Sequence, residues 1–204
     1  MDNEKIKDNI IKVTTKLIEQ YDGNTKVITS RLIAENANIG LGSINYYFGS
    51  KENLIAECVQ RIINKMLLSF VPEIKDCNNI DGFSDKERLT NWASQTFDFL
   101  FQNQAIANIS IMSDMQNYLS DSNSVYTQKG FMFALSENKN ENYKKLLIFS
   151  IVSTMQVAFL AKNTTKELLG YDLYIKNQRD MFVKNIVNLL FEGIYNTEEF
   201  SDEA

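Results

Sequence analysis

A single proline, Pro72, and only eight glycines in 204 residues leave this chain few places to interrupt a helix. Proline locks φ and has no backbone N–H, and glycine loses the most freedom on ordering, so their scarcity favours continuous α-structure. Apolar residues three and four apart recur over long stretches, the spacing that lines one face of a 3.6-residue helix. The expected fold class is all-α. At 44% hydrophobic residues, the chain has enough apolar side chains for a core.

The spacing predicts helices over residues 4–21, 29–36, 40–47 and 50–70. Others are expected over 86–103, 105–119, 122–137, 141–163 and 172–195. In the first, Ile6, Ile10, Val13 and Leu17 form one stripe. Asp22-Gly23-Asn24 supplies its stop, since glycine accepts the left-handed geometry that ends helices. Ser50 is the expected cap of the fourth helix, and Glu52 places negative charge where the helix dipole favours it. Leu54, Cys58, Ile62 and Met66 run down one face of that helix, and Pro72 should end or kink it. Residues 76–85 read as a loop, and the acidic tail from Glu198 as a frayed end.

What is missing excludes several functions. There is no histidine, which removes histidine-based triads and imidazole zinc sites. Cys58 and Cys77 have no paired spacing for metal or redox chemistry and read as reduced, small hydrophobic residues. No catalytic residue, metal site or cofactor is expected, and the chain is not read as an enzyme. The start, MDNEKIKDNI, is charged and lacks the apolar stretch of a signal peptide, so a cytoplasmic location is expected. The most apolar run, residues 146–161, includes Ser150, Ser153, Thr154 and Gln156. A bilayer span needs about 18 or more apolar residues, so a buried helix is the better reading and no membrane partner is expected.

The net charge of −5 is unevenly placed. Residues 1–53 hold seven Lys/Arg and seven Asp/Glu, so the acidity lies further on. Within residues 23–51, Lys26, Arg31 and Lys51 face only Glu35. That local balance permits an anionic partner, although a solvated surface of mixed charge has the same composition.

Residues 28–55, ITSRLIAENANIGLGSINYYFGSKENLI, are the informative segment. Thr29 is a good N-cap for a short helix that turns Leu32 and Ile33 inward. Ala34 and Ala37 are small enough for a close helix crossing. Asn38 falls where a tight turn needs positive φ, which asparagine tolerates better than most residues. Ile39 plugs the core beneath the turn. Gly40, Leu41, Gly42 and Ser43 open a second short helix with little bulk, as a helix entering a major groove about 12 Å wide requires. Asn45, Tyr46 and Tyr47 offer amide and phenol groups, and Phe48 turns back to the core. A nucleotide-binding glycine loop at Gly40-Leu41-Gly42 fails for want of a preceding strand and a third glycine.

These residues resemble the DNA-binding domain of the TetR family of transcriptional regulators. Ile33-Ala34, Ile39, Gly42-Ser43-Ile44, Tyr47-Phe48, Lys51-Glu52 and Leu54 fit its signature in register. Two positions depart from it: Asn38 stands where most members carry glycine, and Asn45 where most carry tyrosine. The resemblance implies a three-helix helix-turn-helix domain over residues 1–49. Residues 50–204 would form a larger helical domain for ligand binding and dimerisation. It implies double-stranded operator DNA as partner, with Ser30, Ser43, Tyr46, Tyr47 and Lys51 on phosphates. Arg31, Leu41, Gly42 and Asn45 would approach base edges. It also implies a homodimer through residues 143–163 and 172–195, where the final helix carries two adjacent apolar stripes. A small-molecule effector pocket is expected among Trp92, Gln95, Phe101, Met112, Met115, Gln116, Phe131, Met155 and Phe159, mainly apolar with polar anchors. The expected role is a repressor released from a palindromic operator. The alternatives are an activator of the same fold and a helical interaction protein that does not bind DNA.

Overall fold

The computed structural model describes residues 3–77, 82–136 and 140–195, with side chains over 3–65, 82–136 and 140–191. Among the described residues the regular elements are all helices, as expected. They are α1 (Asn3–Gln20), α2 (Ser30–Ala37), α3 (Gly42–Phe48), α4 (Lys51–Cys77) and α5 (Asp85–Gln102). After them come α6 (Gln104–Gln116), α7 (Asn123–Met132), α8 (Glu141–Leu160), α9 (Thr165–Leu169) and α10 (Lys176–Tyr195). Five boundaries of the sequence reading are corrected and one helix is added. α6 ends at Gln116 rather than 119, and α10 begins at Lys176 rather than 172. α4 continues through Pro72 to Cys77, because one missing N–H removes a hydrogen bond without obliging the chain to leave the helix. α7 ends at Met132, α8 ends at Leu160, and the five-residue α9 lies in a stretch too short to show periodicity. Of the expected 76–85 loop, Asp76 and Cys77 close α4 and Asp85 opens α5, while residues 78–81, the Asn138-Lys139 break and the Glu198 tail lie outside the described residues.

The chain divides into two compact units. The first holds Met1–Lys75 and Asn103–Ser113; the second holds Asp76–Gln102 and Asp114–Ala204. The core of the first gathers Ile10, Leu17 and Ile18 of α1 with Ile33 and Ala34 of α2 and Ile44 of α3. Leu54, Ile55, Cys58 and Val59 of α4 and Ala105 and Ile106 of α6 complete it. Gly23 shows how tightly this unit closes. Its φ of +75° suits glycine, and a Cβ there would stand 2.6 Å from the Ala105 carbonyl oxygen. Arg61 of α4 bridges helices as well, donating to Asp8 of α1 at 2.8 Å and to Glu57 at 3.0 Å. Burial pushes the Cys58 thiol up to about 11, so it is an inert packing residue.

In the second unit, α5 packs against α10 and α8, and α7 lies on α8. Its centre is aromatic. Phe97 meets Phe101 edge to face at 5.3 Å and stacks on Phe182 at 5.8 Å, while Phe101 meets Phe159 at 5.4 Å. A charged cluster borders these rings. Arg179 donates to Asp98 at 2.7 and 2.9 Å and to the Leu173 and Tyr174 carbonyls, with its guanidinium 4.7 Å from the Phe101 ring centre. Lys176 holds the other Asp98 oxygen at 2.6 Å. Burial alone would push the Asp98 carboxyl up, but Lys176 and Arg179 outweigh it and hold it below the usual carboxylate range. α8 is long and apolar enough to cross a membrane by length and composition, yet 56% of its most apolar window is buried in the protein.

Candidate nucleic-acid interface

The interface is built by two short helices whose ends are fixed locally. Thr29, in extended conformation, accepts the Leu32 amide at 3.1 Å and so satisfies one free donor of the first turn of α2. At the far end Asn38 adopts φ 53° and ψ 52°, the left-handed geometry its side chain tolerates. The Ile39 amide then donates to Ala34 at 3.0 Å, and Asn9 of α1 donates through Nδ2 to the Ala37 carbonyl at 3.0 Å. The chain thus reverses between α2 and α3 with the Ala34, Glu35 and Ala37 carbonyls satisfied.

α3 is anchored from one side. Ile44 is fully buried, whereas Leu41 is 53% and Tyr46 76% exposed, and Gly42 and Asn45 are exposed with them. A Cβ at Gly42 would meet nothing within 4 Å. Packing therefore does not require glycine there. The missing bulk is a property of the outer surface. α3 ends at Gly49 (φ 77°), and Ser50 caps α4 as expected by accepting the Asn53 amide at 3.0 Å.

The hydrogen-bonding side chains of this surface fall into two groups. Ser30, Arg31, Ser43, Asn45 and Tyr46 carry no side-chain hydrogen bond or ion pair among the described residues, and Arg31, Asn45 and Tyr46 are exposed. Tyr47 and Lys51 are already engaged. The Tyr47 hydroxyl donates to Asn3 Oδ1 at 3.2 Å, and its ring meets Tyr46 edge to face at 4.8 Å. Lys51 donates from Nζ to the Thr25 carbonyl at 3.1 Å, 3.6 Å from Glu52. An ammonium has three donors, so this bond leaves capacity for an anion while drawing the amine toward the α1–α2 connection. Asn9, Asn3 and Thr25 carry no motif signal. They matter through non-local contacts that no spacing announces.

Residues 10–58 match the family model described as "Bacterial regulatory proteins, tetR family". That segment, about a quarter of the chain, carries the sequence pattern of the TetR-family DNA-binding region. A solved TetR-like transcriptional regulator from Rhodococcus sp. RHA1 has a similar fold, with a TM-score of 0.55 at 15% identity over 95% of this chain and 96% of that one. No curated protein matches in sequence. The TetR-family match covers α2, the turn and α3 whole, so the surface described above lies within the segment that is similar to this family's regulatory proteins.

The remaining TetR-family expectation, an effector pocket, concerns nine residues that the structure separates. Trp92, Phe101, Phe131, Met155 and Phe159 are buried in the second unit, and Phe101 and Phe159 lie in the aromatic cluster. Gln95 is half-buried, Met115 and Gln116 are exposed, and the exposed Met112 falls in the first unit. Two cavities of the second unit are lined almost wholly by other residues. One of about 540 Å³ is lined by Val125, Lys129, Met132, Lys145, Leu146 and Phe149. The other, about 730 Å³ and polar, lies along α5 and α10 and includes Gln95. Among the described residues no cluster of three His, Cys, Asp or Glu side chains has the arrangement of a metal site.

Proposed function

We propose that this protein is a homodimeric, ligand-responsive repressor of the cytoplasm that binds a palindromic operator and leaves it when an apolar or amphipathic small molecule binds. One observation carries the DNA half of this reading. The outer face of α3 starts without bulk at Gly42 and presents Asn45 and Tyr46 free of internal hydrogen bonds, although its inner face is locked by Ile44. A helix N-terminus of that kind suits a major groove, with Ser30, Ser43, Tyr46, Tyr47 and Lys51 toward phosphates. Arg31, Leu41, Gly42 and Asn45 then face base edges.

Dimerisation through residues 143–163 and 172–195 is supported by apolar side chains left uncovered on both helices: Leu146, Phe149 and Val157 on α8, Met181 and Leu189 on α10. A partner helix that covered these side chains would remove them from water, the usual driving force of association. Two reading helices held about 34 Å apart match one turn of duplex, which makes a palindromic site the natural target. The domain division at 49/50 follows the same logic, with the reading helices on one side and the partner-binding helices on the other. Release follows from linkage, since an effector that prefers the non-binding conformation must weaken DNA affinity by the same coupling factor.

The test is a mobility shift on the DNA upstream of the protein's own gene, with the wild type, Arg31→Ala and Tyr47→Ala. Wild-type retention lost in both variants is expected, and equal retention of all three sinks the DNA reading. A monomer at micromolar concentration by light scattering, with DNA binding intact, removes the dimer. No thermal stabilisation by lipophilic drugs, acyl chains or bile-salt-like compounds removes the apolar effector.

A further inference from the structure

We infer that α3 reads an A·T-centred half-site, with Asn45 on an adenine and Leu41 on the methyl of a thymine within about two base pairs of it. The inference rests on the operator-binding reading above and adds which bases are read. Its starting point is the inventory of the outward face. Leu41, Gly42, Asn45, Tyr46 and Gly49 are the exposed residues of α3 and its two end caps, and GSINYYF contains no lysine or arginine. Guanine offers two acceptors, N7 and O6, which are read bidentately by Arg or Lys. α3 has no such group. A guanine contact is left to Arg31 on α2, the helix that in this geometry crosses the backbone.

Asn45 alone on this face carries a donor and an acceptor side by side, the pattern that matches adenine N6 and N7. Its side chain is short, so it reaches a base edge only if the helix backbone comes close. Gly42 and Gly49 flank it on the same face, and no Cβ obstructs that approach. Structure gives Asn45 no other work. It stands inside α3, where asparagine is a poor helix former, is exposed, and makes no side-chain hydrogen bond among the described residues. Leu41 lies one turn earlier on the same side, about 6 Å along the axis at 1.5 Å per residue. That separation spans roughly two steps of 3.4 Å in the duplex. Leu41 is 53% exposed and apolar, and the thymine methyl is the apolar feature of the major groove. The hydroxyls of Tyr46 and Tyr47 are single groups suited to phosphate oxygens.

The experiment is selection of full-length protein on a pool of random duplexes at about 0.15 M salt, a fixed ionic strength being needed to compare affinities. Wild type, Asn45→Ala and Leu41→Ala are compared, with a thermal melt of each. Wild-type sites are expected to carry adenine at one position of each half-site, discriminated by roughly 5- to 150-fold. Asn45→Ala should lose that preference and keep its melt. Replacing the neighbouring thymine by deoxyuridine should weaken wild type by about fourfold, the worth of one buried methyl, and Leu41→Ala not at all. Guanine at the selected centre, or an unchanged preference in Asn45→Ala, overturns the assignment. Enrichment of no duplex by wild type sinks the operator reading itself, and this inference with it.

Discussion

The two units hold their polar side chains in opposite ways. In the first, Arg31 of α2 and Asn45 and Tyr46 of α3 have their hydrogen-bonding groups free, while the fold is secured by aliphatic packing and by caps a few residues apart. In the second, a carboxylate and two cations are drawn together on an aromatic core, with Asp98 and Arg179 81 residues apart in sequence. The difference separates residues that stabilise from residues available to a partner. A side chain whose hydrogen bonds are met inside the fold contributes to stability, and one left exposed and unpaired contributes to recognition at little structural cost.

The largest expected effect strikes the second unit. Arg179→Ala strips two carbonyls of their donor and leaves Asp98 to Lys176 alone, and should destabilise by about 3 kcal/mol, since each buried acceptor left unmet costs about 1–3 kcal/mol. A urea titration with a loss below about 1 kcal/mol would show that the cluster is not a structural bond. The same cluster has a pH signature. The Asp98 carboxyl is held below its ordinary value, so its stabilisation is fully present above about pH 4 and lost as pH falls through the folded-state value. Asp98→Asn should therefore flatten the acid limb of stability. An acid limb as steep as that of the wild type argues against this assignment.

Next comes Gly23→Ala in the first unit. A Cβ at positive φ costs about 1–2 kcal/mol, and the Ala105 carbonyl 2.6 Å away adds to it. A total of roughly 2 kcal/mol or more is expected, and an unchanged melting temperature would mean the α1–α2 turn gives way without resistance. Thr29→Ala removes an N-cap and should cost about 1 kcal/mol, with Thr29→Ser restoring most of it. Failure of serine to rescue would assign the loss to packing. The smallest effect belongs to Asn45→Ala, expected within about 0.5 kcal/mol of wild type in stability. A larger change would place Asn45 among the structural residues and erase the contrast between the units.

Much of the first unit was legible because its decisive interactions are local. Thr29, Asn38 and Ser50 do what their residue types require, each within a few residues of its partner. Lys51 shows the limit. Its position at a helix start suggested a phosphate ligand, yet its amine also reaches back to Thr25, 26 residues away. In the second unit, apolar composition identified buried helices but not their use. Trp92, Phe101 and Phe159 are buried, the last two against each other, whereas Met115 and Gln116 lie on the surface. A nearly all-round apolar helix such as α8 has no clear phase from which to deduce what each face meets.

The amino-acid order by itself determined that the chain is helical, where most helices begin, and that a short helix-turn-helix opens it. Capping, positive φ and the 3.6-residue stripe act over distances the chain cannot rearrange. Only the tertiary structure decided that Arg179 meets Asp98 and which free side chains remain on the outer face of α3. Those outcomes depend on which distant groups satisfy one another, and burial and hydrogen bonding across long loops are settled by the assembled core.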